Sequence, residues 1–361
     1  MSDSLAAPPS LIWPSKLNVP ARPPKLVYLD MKDWINLSHV TTNGAHAKNF
    51  RDALDACRAA RATGAAIFPI AAAHYMEMSG IGNPNKRKPI ADLMEELSGF
   101  TTMLSRLVVV RLEFEELFTR RFGPSLEPFE PLSLLNFGVG PAFGVRGGLA
   151  IRDEDDRDCT DETRAQLGAA EFDALMQRMT RELERGVLAG PTDEEADELR
   201  RTSAWDPAVA RVGNQRRADQ EQELRRHIDN TKWDRGVNLH DVVLAREAGI
   251  ELKPLLGEAI RRWGFSSVLE LMSGKDAVRA FVRSMPTCEV ATILKTQQHR
   301  ANTKRWVHND IFDIDAMSAA VPYCDIVVTD ANRWHDLRQA KLDVRMGTVI
   351  LRSLSELPRH L

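Results

Sequence analysis

The sequence WVHNDIFDIDAMSAAVPYCDIVVTDANRWHDL, residues 306–337, decides the fold that we expect for this chain. It places Asp310, Asp313 and Asp315 at the start of a predicted helix, and an apolar run, IVV, then leads into Thr-Asp at 329–330. A strand that ends in an acid, preceded by a helix with acids in its first turns, gathers carboxylates at one edge of a parallel sheet. Ligands and metals bind at the carboxyl ends of such strands. The stretch therefore predicts an α/β protein with an acidic site.

Composition excludes several classes of protein. The chain has 361 residues, 43% of them hydrophobic and 27% charged, which is ordinary for a globular protein that buries a large core. A formal net charge of -3 excludes a uniformly basic surface, so a nucleic-acid site would be a local basic patch. The four cysteines form no CxxC pair, which disfavours disulfide scaffolds and ribbon-type zinc sites and fits a reducing cytoplasm. No signal-peptide pattern or membrane-length apolar run occurs, and we expect a cytoplasmic protein without a membrane partner.

Further apolar runs are typical of buried strands. The first covers residues 26–29 and ends in Asp30, the second covers 65–70, and the third predicted strand covers 107–110. A last strand is predicted at 347–351. Helical patterns separate these runs, which indicates a central parallel sheet with helices packed on it.

The long middle of the chain has a different character. Between about residues 112 and 325 we find no strand pattern, and charge-dense helical segments dominate. We therefore predict a Pro-rich N-terminal arm (1–25), an α/β domain made of residues 26–120 and 286–361, and a mostly helical insertion (121–285). Proline disfavours helix because it lacks a backbone donor, which suits an extended arm.

Acids from distant segments meet if the predicted strands are parallel. Asp30 and Asp330 then project from the same edge of the sheet, and Glu77 lies on the helix after the second strand. Carboxylates brought within a few ångströms repel each other unless a proton or a cation lies between them. All-oxygen ligands favour Mg²⁺ or Mn²⁺ over zinc, and such an ion activates water for phosphodiester hydrolysis.

Three segments carry a family resemblance: LVYLD at 26–30, IAAAHYME at 70–77 and NDIFDIDAMSAAVPYCDIVVTD at 309–330. Together they resemble the PIN-like nuclease family, in particular the bacterial branch that includes ribonuclease toxins. The resemblance covers residues 26–120 and 286–361, and the long insertion departs from the small members of the family. It implies a three-layer α/β/α fold, a Mg²⁺ or Mn²⁺ site formed by acids, and RNA as the usual substrate.

The resemblance also implies roles for individual acids in catalysis and metal binding. Asp30 matches the acid after the first strand, Glu77 the acid on the helix after the second strand, and Asp330 the acid that follows Thr at the end of the fourth strand.

The third acid of the family has two alternatives in this chain. Asp310 and Asp313 share a helical face, whereas Asp315 is rotated from Asp310 by about 140° at ~100° per residue. Alignment with the usual start of the family's helix would instead select Asp315. We favour Asp310 and Asp313 as catalytic residues and metal ligands, with Asp315 as the alternative.

Polar and basic side chains near these acids are candidates for substrate binding. Asn309 could orient a metal-bound water or cap the helix, and Thr329 could hydrogen-bond a carboxylate or a phosphate. A basic helical segment at 286–305 and a basic loop at 86–88 could hold phosphates or simply face solvent. The basic candidates closest to the acidic helix are Arg300, Lys304 and Arg305.

Together with the resemblance, these patterns predict a metal-dependent endoribonuclease, with a role as a toxin or defence nuclease as one option. Its insertion would shape substrate access or bind a protein partner or inhibitor. A catalytically inactive scaffold that binds RNA or protein, and a DNA-directed nuclease, are the alternatives. A Rossmann-type nucleotide binder is disfavoured because no Gly-rich turn follows the first predicted strand.

Overall fold

The computed structural model describes residues 24–42, 44, 47–126, 132–145, 149–202, 208–230, 238–267, 274–301 and 305–361. The predicted N-terminal arm, 1–25, lies outside the described residues except for its last two positions.

Short strands and many helices make up the described chain. The strands are β1 Lys25–Leu29, β2 Ala66–Ile67, β3 Thr101–Met103, β4 Leu135–Phe137, β5 Ile326–Val328 and β6 Val349–Leu351. The helices before the predicted insertion are α1 Met31–Thr41, α2 Ala47–Ala62, α3 Ala72–Gly80, α4 Pro84–Ser98 and α5 Arg106–Phe122. Those that follow are α6 Val139–Ala142, α7 Thr160–Leu167, α8 Ala169–Ala189, α9 Asp193–Thr202, α10 Ala208–Asn230, α11 Leu239–Arg246, α12 Lys253–Trp263 and α13 Lys275–Arg283. The last α-helices are α14 Pro286–Arg300, α15 His308–Tyr323, α16 Ala331–Gln339 and α17 Leu342–Met346. A π-helical turn, Glu247–Glu251, follows α11, and a 3₁₀ helix, Leu354–Arg359, follows β6. In the described part of the chain, none of these helices has both the length and the apolar character that crossing a bilayer requires.

Four strands form a parallel sheet in the order β2-β1-β5-β6. Two backbone hydrogen bonds extend it toward β3, since Ile70 N–H donates to Thr101 O and Met103 N–H donates to Ile70 O, both at 2.9 Å. β4 then pairs antiparallel with β3. The expected parallel sheet is confirmed, and it joins segments from both ends of the chain.

Helices cover both faces of the sheet, because successive side chains along each strand point into two different cores. Val27 and Leu29 of β1 belong to a core shared with α1, α2 and α4. Tyr28, between them, belongs to a second core shared with α14 and α15. Successive strand side chains point to opposite faces, so two-sided burial requires the near-continuous apolar runs seen in β1 and β5.

The predicted strand at 107–110 is wrong, because these residues lie in α5. Val110, Phe114 and Phe118 are buried at a spacing of four residues, whereas Leu107 is 57% exposed. This is the period of an amphipathic helix, and a four-residue apolar run does not by itself distinguish a helix from a strand. The strand is instead β3, a few residues earlier.

The expectation of no strand between 112 and 325 is also wrong. β4 lies inside the predicted insertion and pairs with β3 over three residues, from Thr101 opposite Phe137 to Met103 opposite Leu135. A strand this short carries almost no periodic pattern, so its partner decides its conformation rather than its own sequence.

The basic loop predicted at 86–88 is part of α4. Arg87 is buried, and its guanidinium donates to main-chain oxygens of Ile81 at 2.7 Å and Ala189 at 2.6 Å, as well as to that of Pro191. Arg87 therefore fastens α4 to the end of α8 and is not available to a phosphate.

Buried ion pairs join the predicted insertion to α14. Lys295 Nζ, on a side chain 2% exposed, lies 2.7 Å from Glu247 and 3.3 Å from Glu221. Glu221 also accepts a hydrogen bond at 3.0 Å from His299 Nε2 and faces Arg246 at 3.2 Å. Lys295 and His299 thus point into this network, and neither is available to a phosphate. Removing one member of a buried pair costs far more than removing a surface pair, since the partner charge stays buried.

A buried acid in α5 predicts a pH-dependent stability. Glu113 Oε1 accepts hydrogen bonds from Tyr323 OH at 2.8 Å and Thr287 Oγ1 at 2.6 Å, whereas Oε2 has no partner among the described residues. Burial raises the pKa of Glu113 from 4.5 to about 7. Because the folded pKa is the higher one, ionisation opposes folding, and Glu113 lowers the free energy of unfolding as pH rises from about 4.5 to 7. We expect a contribution of about 1.4 kcal/mol per pH unit in that window.

Glu113→Gln should remove this contribution, and urea unfolding at pH 5 and pH 7 measures it. Glu171→Gln, on an exposed position of α8, is the control. The interpretation would be wrong if wild type and Glu113→Gln lost the same stability between the two pH values.

Candidate functional site

Two acids lie at the carboxyl edge of the sheet because β1 and β5 are parallel neighbours, with Leu29 opposite Val328. Asp30 follows β1 directly, and Asp330 lies two residues after β5. Asp30 N–H also donates to Val328 O at 3.1 Å, so pairing continues up to the first acid. The expectation that both acids leave the sheet at the same edge agrees with this topology.

Each of these acids also caps the helix that follows it. Asp30 accepts a hydrogen bond from Met31 N–H at 2.7 Å, and Asp330 accepts from Asn332 N–H at 2.6 Å and Arg333 N–H at 3.1 Å. Helix N-termini carry unpaired donors and a positive dipole end, which stabilise carboxylates at this position. The caps and the edge of the sheet together fix where the two side chains stand.

α15 and α3 supply the other predicted acids. Asp310 is 2% exposed, and its Oδ2 accepts from Val307 N–H at 3.0 Å, as the third residue of a helix often does. Asp313 lies one turn further on, with 37% of its side chain exposed. Glu77 lies on α3, which packs against α15.

The carboxylates influence each other's protonation. Burial, followed by the charges of Asp30 and Asp313, raises the pKa of Glu77 to about 8. Burial also raises the pKa of Asp30, against the hydrogen bond from Met31, and the charge of Asp330 adds to the increase. These acids therefore lie in one partly desolvated region that holds an excess of negative charge.

Asp313 interacts both with the acids at the strand ends and with Asp310 on its own helix. Burial raises its pKa to about 6, Arg333 opposes the increase, and the charges of Asp30, Asp310 and Asp330 contribute to it. Five predicted residues thus form one acidic cluster: Asp30, Glu77, Asp310, Asp313 and Asp330.

Asp315 lies outside the acidic cluster. Its carboxylate receives a two-point contact from Arg217 of α10, at 2.6 and 3.0 Å, and Arg106 of α5 lies 3.5 Å away. Burial raises its pKa, but the two arginines more than offset burial and lower it below the ordinary value. The helical rotation between Asp310 and Asp315 thus directs one acid to the cluster and the other to the insertion.

The predicted substrate-binding residues lie in different surroundings. Thr329 is buried, and its Oγ1 donates to Asp30 Oδ2 at 3.4 Å, which is the carboxylate alternative of the two that we considered. Asn309 is exposed in the first turn of α15, whose cap position is occupied by Val307. Arg300 and Arg305 are exposed at the end of α14 and before α15, and Lys304 lies outside the described residues.

Two residues of the site were not predicted from sequence. Arg333 of α16 has a side chain 6% exposed, and its Nη2 lies 3.8 Å from Asp310 Oδ1 and 3.7 Å from Asp313 Oδ2. Asp33 of α1 is 2% exposed, and its Oδ2 has no hydrogen-bond partner among the described residues. Burial, followed by the charge of Asp30, raises the pKa of Asp33 to about 7.

The positions of Arg333 and Asp33 within their helices could have revealed both residues from the sequence. Arg333 and Asp33 are each the third residue of a helix that is capped by a strand-end acid, Asp330 or Asp30. Side chains at this position turn back toward the cap, and at a sheet edge they therefore point toward the site.

The acidic cluster fits a hard divalent ion in its chemistry, because its donors are all carboxylate oxygens. Within the described residues, however, no group of three or more His, Cys, Asp or Glu side chains is close enough to hold a metal ion in this arrangement. An ion would therefore require side chains to turn inward. Asp313 and Glu77 are both partly exposed, which leaves them room to do so.

Comparison of the chain with models of known protein families, with curated proteins and with solved structures gave no match.

Asp313 and Asp315 lie two residues apart on α15, and we expect opposite effects when each is neutralised. Asp315→Asn leaves Arg217 and Arg106 partly unpaired and should lower the free energy of unfolding by about 3 kcal/mol. Asp313→Asn removes a charge that burial and the neighbouring acids disfavour more than Arg333 favours it. It should therefore raise that free energy by about 0.5 kcal/mol, a small amount because solvent screens this partly exposed carboxylate.

Urea unfolding at pH 7 in EDTA measures both effects, because chelation removes any contribution from bound metal. The described arrangement of α15 would be contradicted if both variants were destabilised equally.

Proposed function

We propose that this protein is a metal-dependent endoribonuclease of the PIN-like type. The observation that carries the proposal is the acidic cluster, in which two strand ends and two separate helices direct acids toward one edge of a parallel sheet. Stability does not explain such a cluster, because the carboxylates repel each other. Clusters of like charge that lower the stability of the fold are typical of catalytic and metal-binding sites.

A divalent ion, Mg²⁺ or Mn²⁺, would be held by Asp30, Glu77, Asp313 and Asp330. When bound, it would supply an activated water and stabilise charge on the attacked phosphate. Asp310 is the least accessible acid of the cluster, and it contributes negative charge next to Arg333.

The chain's own residues orient these ligands. Thr329 and the Met31 N–H both donate to Asp30, which restricts its rotation. The N-terminus of α16 does the same for Asp330. Side chains that are held in this way lose little freedom when they bind an ion, which favours binding.

RNA as the substrate follows from the resemblance rather than from a described groove. Arg300 and Arg305 are exposed near the start of α15 and are the candidates for contacts with phosphates on either side of the cleaved bond. The insertion, 121–285, is the proposed surface for a protein inhibitor or partner, and the cytoplasm is the proposed location.

A catalytically inactive scaffold of the same type is the second candidate. The observation that favours it is the spacing of the acids, since no three of the described side chains are preformed around one ion. Metal binding separates the two candidates, because a scaffold needs no Mn²⁺.

Asp330→Asn and Asp313→Asn should each reduce Mn²⁺-dependent cleavage of single-stranded RNA at least about 100-fold, because each removes ligand charge at nearly constant volume. A fluorescent RNA cleavage assay measures the rate, with EDTA as the metal-free reference. Asp92→Asn, an exposed acid of α4, is the matched control and should retain full activity.

Full activity in both site variants would refute the assignment. Cleavage of matched single-stranded DNA but not of RNA would instead identify a DNA-directed nuclease. Wild-type protein that neither cleaves RNA nor binds Mn²⁺ would favour the scaffold.

A further inference from the structure

Tyr28 is a buried side chain on the strand face that leads to the first acid of the acidic cluster. It lies in β1, opposite Val327 of β5 and two residues before Asp30. Asp30 is still extended, with φ -66° and ψ 157°, so both side chains leave the strand on the same face. The Tyr28 ring stacks on His74 of α3 with 5.1 Å between ring centroids, and His74 lies three residues before Glu77. Tyr28 therefore packs between two elements that supply acids to the cluster.

Among the described residues, the hydroxyl of Tyr28 has no hydrogen-bond partner, although only 2% of the residue is exposed. The other two tyrosines of the chain differ, because Tyr323 OH donates to Glu113 at 2.8 Å and Tyr75 OH donates to Glu184 at 3.4 Å. A buried hydroxyl without a partner costs stability, and phenylalanine would fill the same space without this cost. Packing alone therefore does not explain a tyrosine at position 28.

The hydroxyl of Tyr28 lies within electrostatic reach of the acidic cluster. Burial, followed by the charges of Asp30, Glu77 and Asp313, raises the pKa of Tyr28 well above its ordinary value. These three acids follow β1 or belong to α3 and α15, so the phenol is close to acids from three segments of the chain. The hydroxyl is thus a neutral donor at the edge of a group of carboxylates, which can only accept hydrogen bonds when they are ionised.

We propose that Tyr28 is a further substrate-binding residue of the acidic cluster, and that its O–H donates a hydrogen bond to a phosphate oxygen of the RNA backbone. This role rests on the proposed function, since a phosphodiester is the group that a nuclease brings to this site. A phosphate is repelled by neighbouring carboxylates, and a neutral donor partly offsets that repulsion. The ring is held by burial and by the stack on His74, so the donor needs little reorganisation as charge develops on the phosphate.

Tyr28→Phe removes only the hydroxyl and keeps the ring on His74. We expect kcat/KM for Mn²⁺-dependent cleavage of fluorescent single-stranded RNA to fall about 100-fold, an effect typical of losing one positioned donor. The thermal midpoint of unfolding should not fall, because the variant loses no hydrogen bond among the described residues. The Mn²⁺ concentration that gives the half-maximal rate should stay the same, because the phenol contacts substrate and not the ion.

Tyr323→Phe is the matched control, because it removes a hydroxyl that donates to a described residue, Glu113. It should lower the thermal midpoint by about 2–4 °C, since Glu113 loses a donor. At temperatures where the variant is folded, its kcat/KM should equal that of wild type.

The possible results separate the role of Tyr28 from the proposed function. Equal kcat/KM in wild type and Tyr28→Phe would show that the hydroxyl meets only water, and would overturn the contact while leaving the nuclease standing. A fall in kcat/KM accompanied by a lower midpoint or a higher Mn²⁺ requirement would also overturn it, since a structural role has those effects.

Wild-type protein that does not cleave RNA would overturn the proposed function, and binding of the same RNA in MnCl₂, measured by fluorescence anisotropy, would then decide the role of Tyr28. Weaker binding by Tyr28→Phe than by wild type would support the contact with phosphate. Equal binding by the two proteins, or none by either, would overturn it.

Discussion

The parallel pairing of β1 with β5 is the contact on which the rest of the structure depends. It joins segments 299 residues apart and sets Leu29 opposite Val328, so that Asp30 and Asp330 leave the sheet together. Asp325 strengthens the start of this pairing, because its carboxylate accepts from Leu26 N–H at 2.8 Å while its own N–H donates to Leu26 O. A slip of one residue would turn every side chain of β5 to the opposite face and separate the acids.

Helix capping and site formation use the same atoms. Asp30 and Asp330 neutralise the donors at the starts of α1 and α16, and this local stabilisation partly offsets the cost of placing two acids close together. The residues three positions later, Asp33 and Arg333, turn back to the same region and bring opposite charges. A few helix starts at one sheet edge thus define most of the electrostatics of the cluster.

The features that could be predicted from the sequence are those that depend on a strong local pattern of residues. The strands β1, β5 and β6 could be predicted because buried parallel strands are short, apolar and followed by polar turns. The separation of Asp310 and Asp313 from Asp315 could be predicted too, because helical rotation depends only on residue spacing. The division into a nuclease domain and an insertion stays a prediction, as do the roles of the acids.

The features that were missed depend on partners distant in sequence. Lys295 looks like a solvent-facing lysine until Glu221 and Glu247 are placed beside it, and no local pattern predicts that. β4 is a strand only because β3 offers it an edge, and residues 107–110 are helical because their apolar neighbours repeat every four residues.

The antiparallel pair formed by β3 and β4 has a consequence for any attempt to shorten this chain. Because β4 lies within the predicted insertion and pairs with a strand outside it, removing residues 121–285 would leave β3 without its antiparallel neighbour. Bare strand edges recruit other chains, and Lys295 and Asp315 would simultaneously lose the counter-charges that the insertion supplies. A shortened derivative without residues 121–285 would therefore need a replacement both for β4 and for these counter-charges.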